Sequence, residues 1–493
     1  MSVPGASYRA PPTDATLSGP IQLIAEADGR RVDFSPLRRR SPGNAIDLVS
    51  VADLLRNAFV YPPHSIYSDV KIAISGFEPD QDLHAQPRFH FPYQSSAAPA
   101  RPRLADTSGP LLVERYHQLL CEAVLRTTAT MRTPWLLQSG GKDSTSMALA
   151  VAEVRPDTTC VTYLGGREEN EVESARLVAG RLGLRHETLV CDPGRAYDRY
   201  LAMVGRMPLL TADFAMLSYA DLVTEIAANG GDVVLDALGS DPYFGLPLRW
   251  PQLLRGVLAR RLSLPDVMLH SSLVSRNFPL SYALGSLQMD RFERTFPGSR
   301  FTDREVDDLL HLPMAAASRQ RLEMFRADIT AAPTLEAQRR VAATIVEAAT
   351  FGKGMYTTEA MGLALGYPYC DTALCDWIFH HVPDAMLIGR GGVNKVLVRQ
   401  HIARRFQQLP YVRAKGSFRF DVCGLADRFD QVHAFALRAH ELVPGASAWL
   451  ERHRHQLGNK YFASKFYLLA VTLPWLLSRI HAADPPVRTH RTE

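Results

Sequence analysis

Cysteine is scarce. Six are spread through 493 residues, and no two form a C-x-x-C pair. That excludes a disulfide framework and the paired-thiolate zinc signatures, and it fits a reducing, cytoplasmic compartment. Cys370, Cys375, His380 and His381 lie close together, but steps of five do not share a helix face, so they read as core packing. Long apolar runs are missing too. None reaches the ~18 residues that a membrane span needs. Met1-Ser2-Val3-Pro4-Gly5-Ala6 has neither the basic start nor the apolar core of a signal peptide. Charge of one sign is nearly balanced: the net charge is +4, which gives no argument for a nucleic-acid partner. Aromatics interleaved with basic residues, needed to stack single-stranded bases, are confined to Phe418-Arg419-Phe420. Arg38-Arg39-Arg40 is a short exposed-type run. A G-x-x-x-x-G-K-[ST] loop is also absent. What is present is ordinary globular composition, 46% hydrophobic and 22% charged, with length for roughly two to four domains.

One stretch carries chemistry. Trp135-Leu136-Leu137 is an apolar, strand-like run. It enters Ser139-Gly140-Gly141-Lys142-Asp143-Ser144-Thr145, and Ser146 to Ala152 continues as a helix. A strand, a glycine turn and a hydroxyl-rich helix start form a phosphate cradle. The glycines let the backbone approach a ligand, and the free N–H groups of a helix N-terminus attract anions. Ser139, Ser144 and Thr145 add hydroxyls. Asp143 repels bare phosphate and so implies a cation, Mg2+ shared between carboxylate and phosphate oxygens. Lys142 could meet phosphate as a point charge or simply be solvated. The stretch resembles the PP-loop of ATP pyrophosphatases, which split ATP into AMP and pyrophosphate.

The chain is organised in three parts. Residues 1–110 hold a loose Pro/Ser/Thr/Gly arm and short strand-like runs (Ile21 to Ile24, Val70 to Ile74). A helix-like run from Leu48 to Ala58 and a linker around Ser95 to Pro102 complete this part. Residues 111–425 alternate helix and strand. Strand patterns end at Gln138 and span Thr158–Leu164, His186–Val190 and Asp232–Ala237, and Glu169–Leu184 is an amphipathic helix. That alternation predicts an α/β fold with a doubly wound parallel sheet, ligands lying at its carboxyl edge. From about residue 250 to 480 the pattern is almost entirely helical, with 426–493 as a helical extension.

Three further segments resemble the asparagine synthetase family, in the right order. Val233 to Gly245 is similar to the segment G-x-D-E-x-F-G-G, Met361 to Asp371 to G-L-E-x-R-x-P-F-L-D, and Lys395 to Arg399 with Leu409 to Phe418 to K-x-x-L-R…L-P…R-x-K-x-x-F. The resemblance spans about residues 111–420. It implies a PP-loop, adenine nucleotide hydrolase-like fold that uses ATP and Mg2+. Ser139, Gly140, Gly141, Lys142, Asp143, Ser144, Thr145 and Gly239 would line the nucleotide site. Asp143 and Asp241 would be the metal carboxylates, and Lys415 would stabilise charge developing in the transition state.

The departures define the branch. The family glutamate falls on Ala364 and its arginine on Gly366, so acid–base chemistry needs another group; Glu359 and Tyr356 are candidates. Pro242 replaces the glutamate that follows the metal aspartate. Position 2 is Ser2, not the cysteine that frees ammonia in glutamine-dependent members, and the front resembles a shortened, inactive glutaminase domain of α+β type. The amine then comes from the substrate itself or from a second substrate. This points to beta-lactam synthetases and lasso peptide cyclases, with peptide macrolactam formation in antibiotic-type biosynthesis as the leading expectation. The basic residues Arg255, Arg260 and Arg261 could contact an acidic substrate or leader, or lie on a solvated face. Whether a partner protein delivers the substrate stays open. The rivals are small-molecule amidation, a tRNA-modifying PP-loop enzyme, which would need a basic face, and a non-catalytic scaffold.

Overall fold

The structure is a computed structural model. It describes residues 21–24, 32–39, 46–73, 108–165, 169–244, 271–289, 300–331, 335–405 and 420–480, with four single residues between 262 and 293.

Seven strands form among the described residues: β1 (Ile21–Ile24), β2 (Val70–Ala73), β3 (Pro134–Leu137), β4 (Thr159–Leu164), β5 (Arg185–Val190), β6 (Val233–Leu235) and β7 (Ala364–Gly366). Five of them make one parallel sheet in the order β5-β4-β3-β6-β7. The chain starts at the centre on β3 and winds outward through β4 to β5. It then crosses back to β6, on the other side of β3. The reversal between β3 and β6 opens a crevice at their carboxyl ends, the place where such sheets bind ligands. The expected α/β doubly wound class is therefore the observed one.

The central strands are short apolar runs because both of their faces are covered. Alternation sorts their side chains. Leu136, Cys160 and Leu235 join one core with Val124, Met147, Val151, Leu397 and Ile402, from helices Gly109–Thr128, Lys142–Val154 and Val396–Arg405. Trp135, Leu137, Val161 and Val234 face the other way. They meet Tyr197, Leu222, Ile226 and Leu473, from helices Pro193–Met203, Met216–Ala228 and Lys460–Ile480. Each fully buried aliphatic side chain contributes about 1.5–3 kcal/mol.

β7 is a short exception to the almost entirely helical pattern expected beyond residue 250. Three residues are too few to show a period. Gly366 is what allows the strand to dock there, since a Cβ would lie 1.9 Å from Thr127 Cγ2.

The front segment does not keep a core to itself. Helix Leu48–Asn57, capped by Asp47, packs into the helical region. Tyr61 meets Phe325 at 5.9 Å between ring centroids, and Tyr67 meets Trp475 at 5.7 Å. Arg321 ties Asp47 and Asp53 to helix Met314–Ala331. β1 and β2 pair in parallel. The expected linker, and Arg255, Arg260 and Arg261, lie outside the described residues.

Helix Lys460–Ile480 runs through the interior with Pro474 inside it. Proline has no N–H for the carbonyl four residues back. Tyr197 Oη donates to that orphaned Ala470 oxygen at 3.0 Å, and Tyr200 Oη donates to the Val471 oxygen at 2.6 Å. Lys465 and Glu305 form a buried ion pair at 2.6 Å. Among the described residues, no helix is long and apolar enough to cross a membrane.

Candidate active site

The glycine loop leaves β3 and turns directly into helix Lys142–Val154. Gly140 has φ +59°, and a Cβ on it would lie 2.7 Å from the Glu171 carbonyl oxygen, so only glycine fits. Ser139 N–H donates to Ser144 Oγ at 3.1 Å, the two hydroxyls are 3.0 Å apart, and Ser144 Oγ donates to the Gly141 oxygen at 3.1 Å. These bonds close the loop on itself and fix the helix N-terminus, whose first N–H groups have no carbonyl four residues back. The Thr145 hydroxyl is fully buried with no partner among the described residues.

The second loop leaves β6. Asp236 anchors it by accepting from Leu238 N–H at 3.2 Å and from the buried Tyr219 hydroxyl. Gly239 has φ +97°, and a Cβ there would collide with Cys370 Sγ at 2.3 Å. This turn delivers Ser240 and Asp241 to the same crevice.

A lysine joins the two loops. Lys395 Nζ donates to Asp143 Oδ2 at 2.9 Å and to Ser240 Oγ at 2.7 Å, and it pairs with Asp241 Oδ1 at 2.5 Å. Burial alone would favour the neutral amine, but Asp143 and Asp241 more than reverse that and push its pKa up. Its backbone is in the left-handed region, φ +57°, which points the side chain back under the loops as helix Val396–Arg405 begins. Lys142, partly buried beside this charge, is held below the ordinary lysine range by burial and by Lys395, against the pull of Asp143.

Glu347, on helix Leu335–Thr350, faces Asp241. Its carboxyl accepts the Asp241 backbone N–H, and its Oε2 is buried without a partner among the described residues. Burial and the Asp241 carboxylate raise its pKa well above the usual range.

The donor set suits a cation and a polyphosphate. Two carboxylates converge from separate strand ends, and Asp143 Oδ1 is buried with no hydrogen-bond partner among the described residues. The hydroxyls and helix N–H groups beside them suit phosphate oxygens. Asp143 and Asp241 are the residues that would hold Mg2+.

The expected site residues divide. Ser139, Gly140, Gly141, Lys142, Asp143, Ser144, Gly239 and Asp241 gather at the crevice. Tyr356 packs edge-on against Phe34 at 6.0 Å and lines a small cavity with Val60, Pro62 and Leu210. Glu359 lies half-buried near the end of helix Gly352–Met361. Ala364 opens β7, paired with Val233, at the amino end of the sheet and away from the loops. Lys415 lies outside the described residues. Sequence reasoning missed the roles of Lys395 and Glu347. Lys395 opens the K-x-x-L-R segment, which offered a signal; Glu347 offered none.

A doubly wound parallel sheet with a glycine–serine loop and convergent carboxylates at its reversal point defines a nucleotide-binding α/β protein. The family model described as asparagine synthase matches residues 115–443, and the chain belongs to that family. It is thus of the ATP-dependent carbon–nitrogen ligase class. Solved structures with partial similarity include NMN synthetase from Francisella tularensis, at 16% identity and TM-score 0.23, covering 50% of this chain and 97% of that one. NAD+ synthetase from Burkholderia pseudomallei is 18% identical with TM-score 0.20, covering 45% of this chain and 89% of that one. No curated protein sequence is significantly similar.

Proposed function

We propose that the protein adenylates a substrate carboxylate with Mg-ATP, releases pyrophosphate, and lets an amine of the substrate attack the acyl-adenylate to form an amide. The observation that carries this reading is the convergence of Asp143, Asp241 and Lys395 beneath the glycine loop. It offers alternating charge where a metal-bound polyphosphate would lie. In this reading the Ser139–Ser144 loop grips phosphate, the two aspartates hold Mg2+, and Lys415 supplies positive charge to the transition state. The acid–base candidates from the sequence, Glu359 and Tyr356, give way to Glu347, whose carboxyl accepts the Asp241 backbone N–H. Ring closure within one molecule suits a protein whose front resembles an inactive glutaminase. Holding both reacting groups on one substrate can contribute roughly 7–11 kcal/mol. A lasso-type peptide macrolactam is the favoured product, and a beta-lactam or other small amide the runner-up. The test is carboxylate-dependent exchange of labelled pyrophosphate into ATP, run across peptide and small-acid panels. Exchange with a peptide that disappears in Asp143→Ala supports the reading. AMP formation without any carboxylate dependence would overturn it.

A further inference from the structure

On the far side of the glycine-loop helix lies a second polar cluster. His117, Cys121 and Glu153 place one ligand atom each within 4.8 Å of one another, the one such group among the described residues. His117 and Cys121 are one turn apart on helix Gly109–Thr128, so they share a face. Glu153 comes from the last turn of helix Lys142–Val154. His117 and Cys121 are buried, while the Glu153 side chain is 51% exposed, which leaves an entry path from solvent.

A chain of hydrogen bonds runs from this cluster to the active-site loop, and its polarity can be worked out from one end. The Asp143 carbonyl can only accept, so Tyr369 Oη donates to it at 3.0 Å. Tyr116 Oη donates to Tyr369 Oη at 3.1 Å, and its proton is then spent. Ser146 must therefore donate to Tyr116, at 2.9 Å. Ser146 Oγ is left to accept from His401 Nδ1 at 2.9 Å. A neutral His401 then offers a lone pair at Nε2, which accepts from His117 Nδ1–H at 2.8 Å. That leaves His117 Nε2 as a lone pair, 2.8 Å from a Glu153 carboxylate oxygen and 3.5 Å from Cys121 Sγ. Two electron-rich atoms at 2.8 Å require a positive species between them.

We infer that His117, Cys121 and Glu153 form a binding site for a divalent transition metal of the zinc class, separate from the Mg-ATP site. Imidazole nitrogen, thiolate sulfur and carboxylate oxygen, with the fourth position open toward solvent, is the donor set that this class prefers. His401, bonded to the far nitrogen of His117, fixes the tautomer as an outer partner does in metal sites. The metal clamps helix Gly109–Thr128 to the helix that carries Asp143. Through His401 it also reaches the helix that follows Lys395.

The test uses the full chain, stripped with chelator and titrated with Co2+ as a spectroscopic stand-in. The expected result is one equivalent bound with a thiolate-to-cobalt charge-transfer band. That band should vanish in Cys121→Ser. It should persist in Asp143→Ala, which damages only the other site. Glu153→Gln, a change at a largely exposed side chain, should weaken Co2+ affinity at least tenfold with the fold intact. A wild-type protein that binds no Co2+ with thiolate character, or a band that survives in Cys121→Ser, overturns the site. The cation at His117 Nε2 would then be a proton, making an imidazolium–Glu153 pair.

Discussion

Lys395 Nζ lies 2.9 Å from Asp143 Oδ2, and the same ammonium touches Asp241. A residue far down the chain thus supplies counter-charge to the two carboxylates that the nucleotide loops bring together. Removing one partner of a buried pair typically costs 3–5 kcal/mol, and the 40% exposure of Asp241 discounts this. Lys395→Met is expected to lose roughly 2–3 kcal/mol in denaturant unfolding. Added Mg2+ should stabilise the variant more than the wild type, because the carboxylates then lack their counter-charge. Equal stability and equal Mg2+ response would reject this account.

Gly239→Ala has no room. The turn is left-handed, and the new methyl group would meet Cys370 Sγ at 2.3 Å. Strain and displacement together should cost roughly 1–3 kcal/mol, and moving Ser240 and Asp241 should lower ATP affinity at least tenfold in calorimetry. Gly183→Ala, also at positive φ but with open space around it, should cost less and leave ATP affinity unchanged. If both variants bind ATP equally, the close packing at Gly239 does not matter to the site.

Glu347 accepts the Asp241 backbone N–H. Glu347→Ala should reduce ATP turnover at least tenfold by loosening that loop. Glu347→Gln keeps the acceptor but not the titratable proton, so it should restore KM while kcat stays low, as the acid–base role requires. A glutamine variant that recovers kcat as well would reduce Glu347 to an anchor of the loop.

Two histidines make the protein sensitive to acid. Burial, with Arg321 and Lys71 nearby, lowers the His64 pKa to about 3; burial and Arg176 lower that of His186 to about 4. Lys71 Nζ donates to His64 Nδ1 at 2.9 Å, and His186 Nε2 lies 2.9 Å from Thr162 Oγ1. Below about pH 6.5 the unfolded chain takes up protons that these folded imidazoles refuse. Stability should therefore fall as pH drops from about 6.5 toward about 4, by up to roughly 1.4 kcal/mol per pH unit per histidine. Above pH 6.5 neither contributes. Unfolding free energies measured from pH 7 to 4.5 should show a shallower slope in His64→Gln and His186→Gln; unchanged slopes would locate the acid sensitivity elsewhere.

The sheet and its ligand edge were legible because they follow from short-range rules. Apolar strand runs, Gly140 and Gly141, and the Leu238-Gly239-Ser240-Asp241 turn each announce themselves locally. Lys395 could be placed in a motif but not given a role, since its function depends on a left-handed backbone and on loops some 150 and 250 residues away. Glu347 was silent, because one glutamate on an amphipathic helix looks solvated until the fold turns it inward. His117 and Cys121 show helical spacing, but Glu153 and His401 join them only through packing. β7 was too short to carry a period.

The interior course of helix Lys460–Ile480 has a consequence for biosynthesis. β3 to β6 leave the ribosome early, yet Tyr197, Tyr200 and part of the core on one face of the sheet wait for this helix, about 225 residues beyond β6. At ~5–20 residues per second, that interval lasts roughly 11–45 s. Throughout it the nascent sheet presents a greasy, half-built surface. Expression yield should therefore track chaperone supply and translation speed as closely as it tracks the stability of the finished molecule.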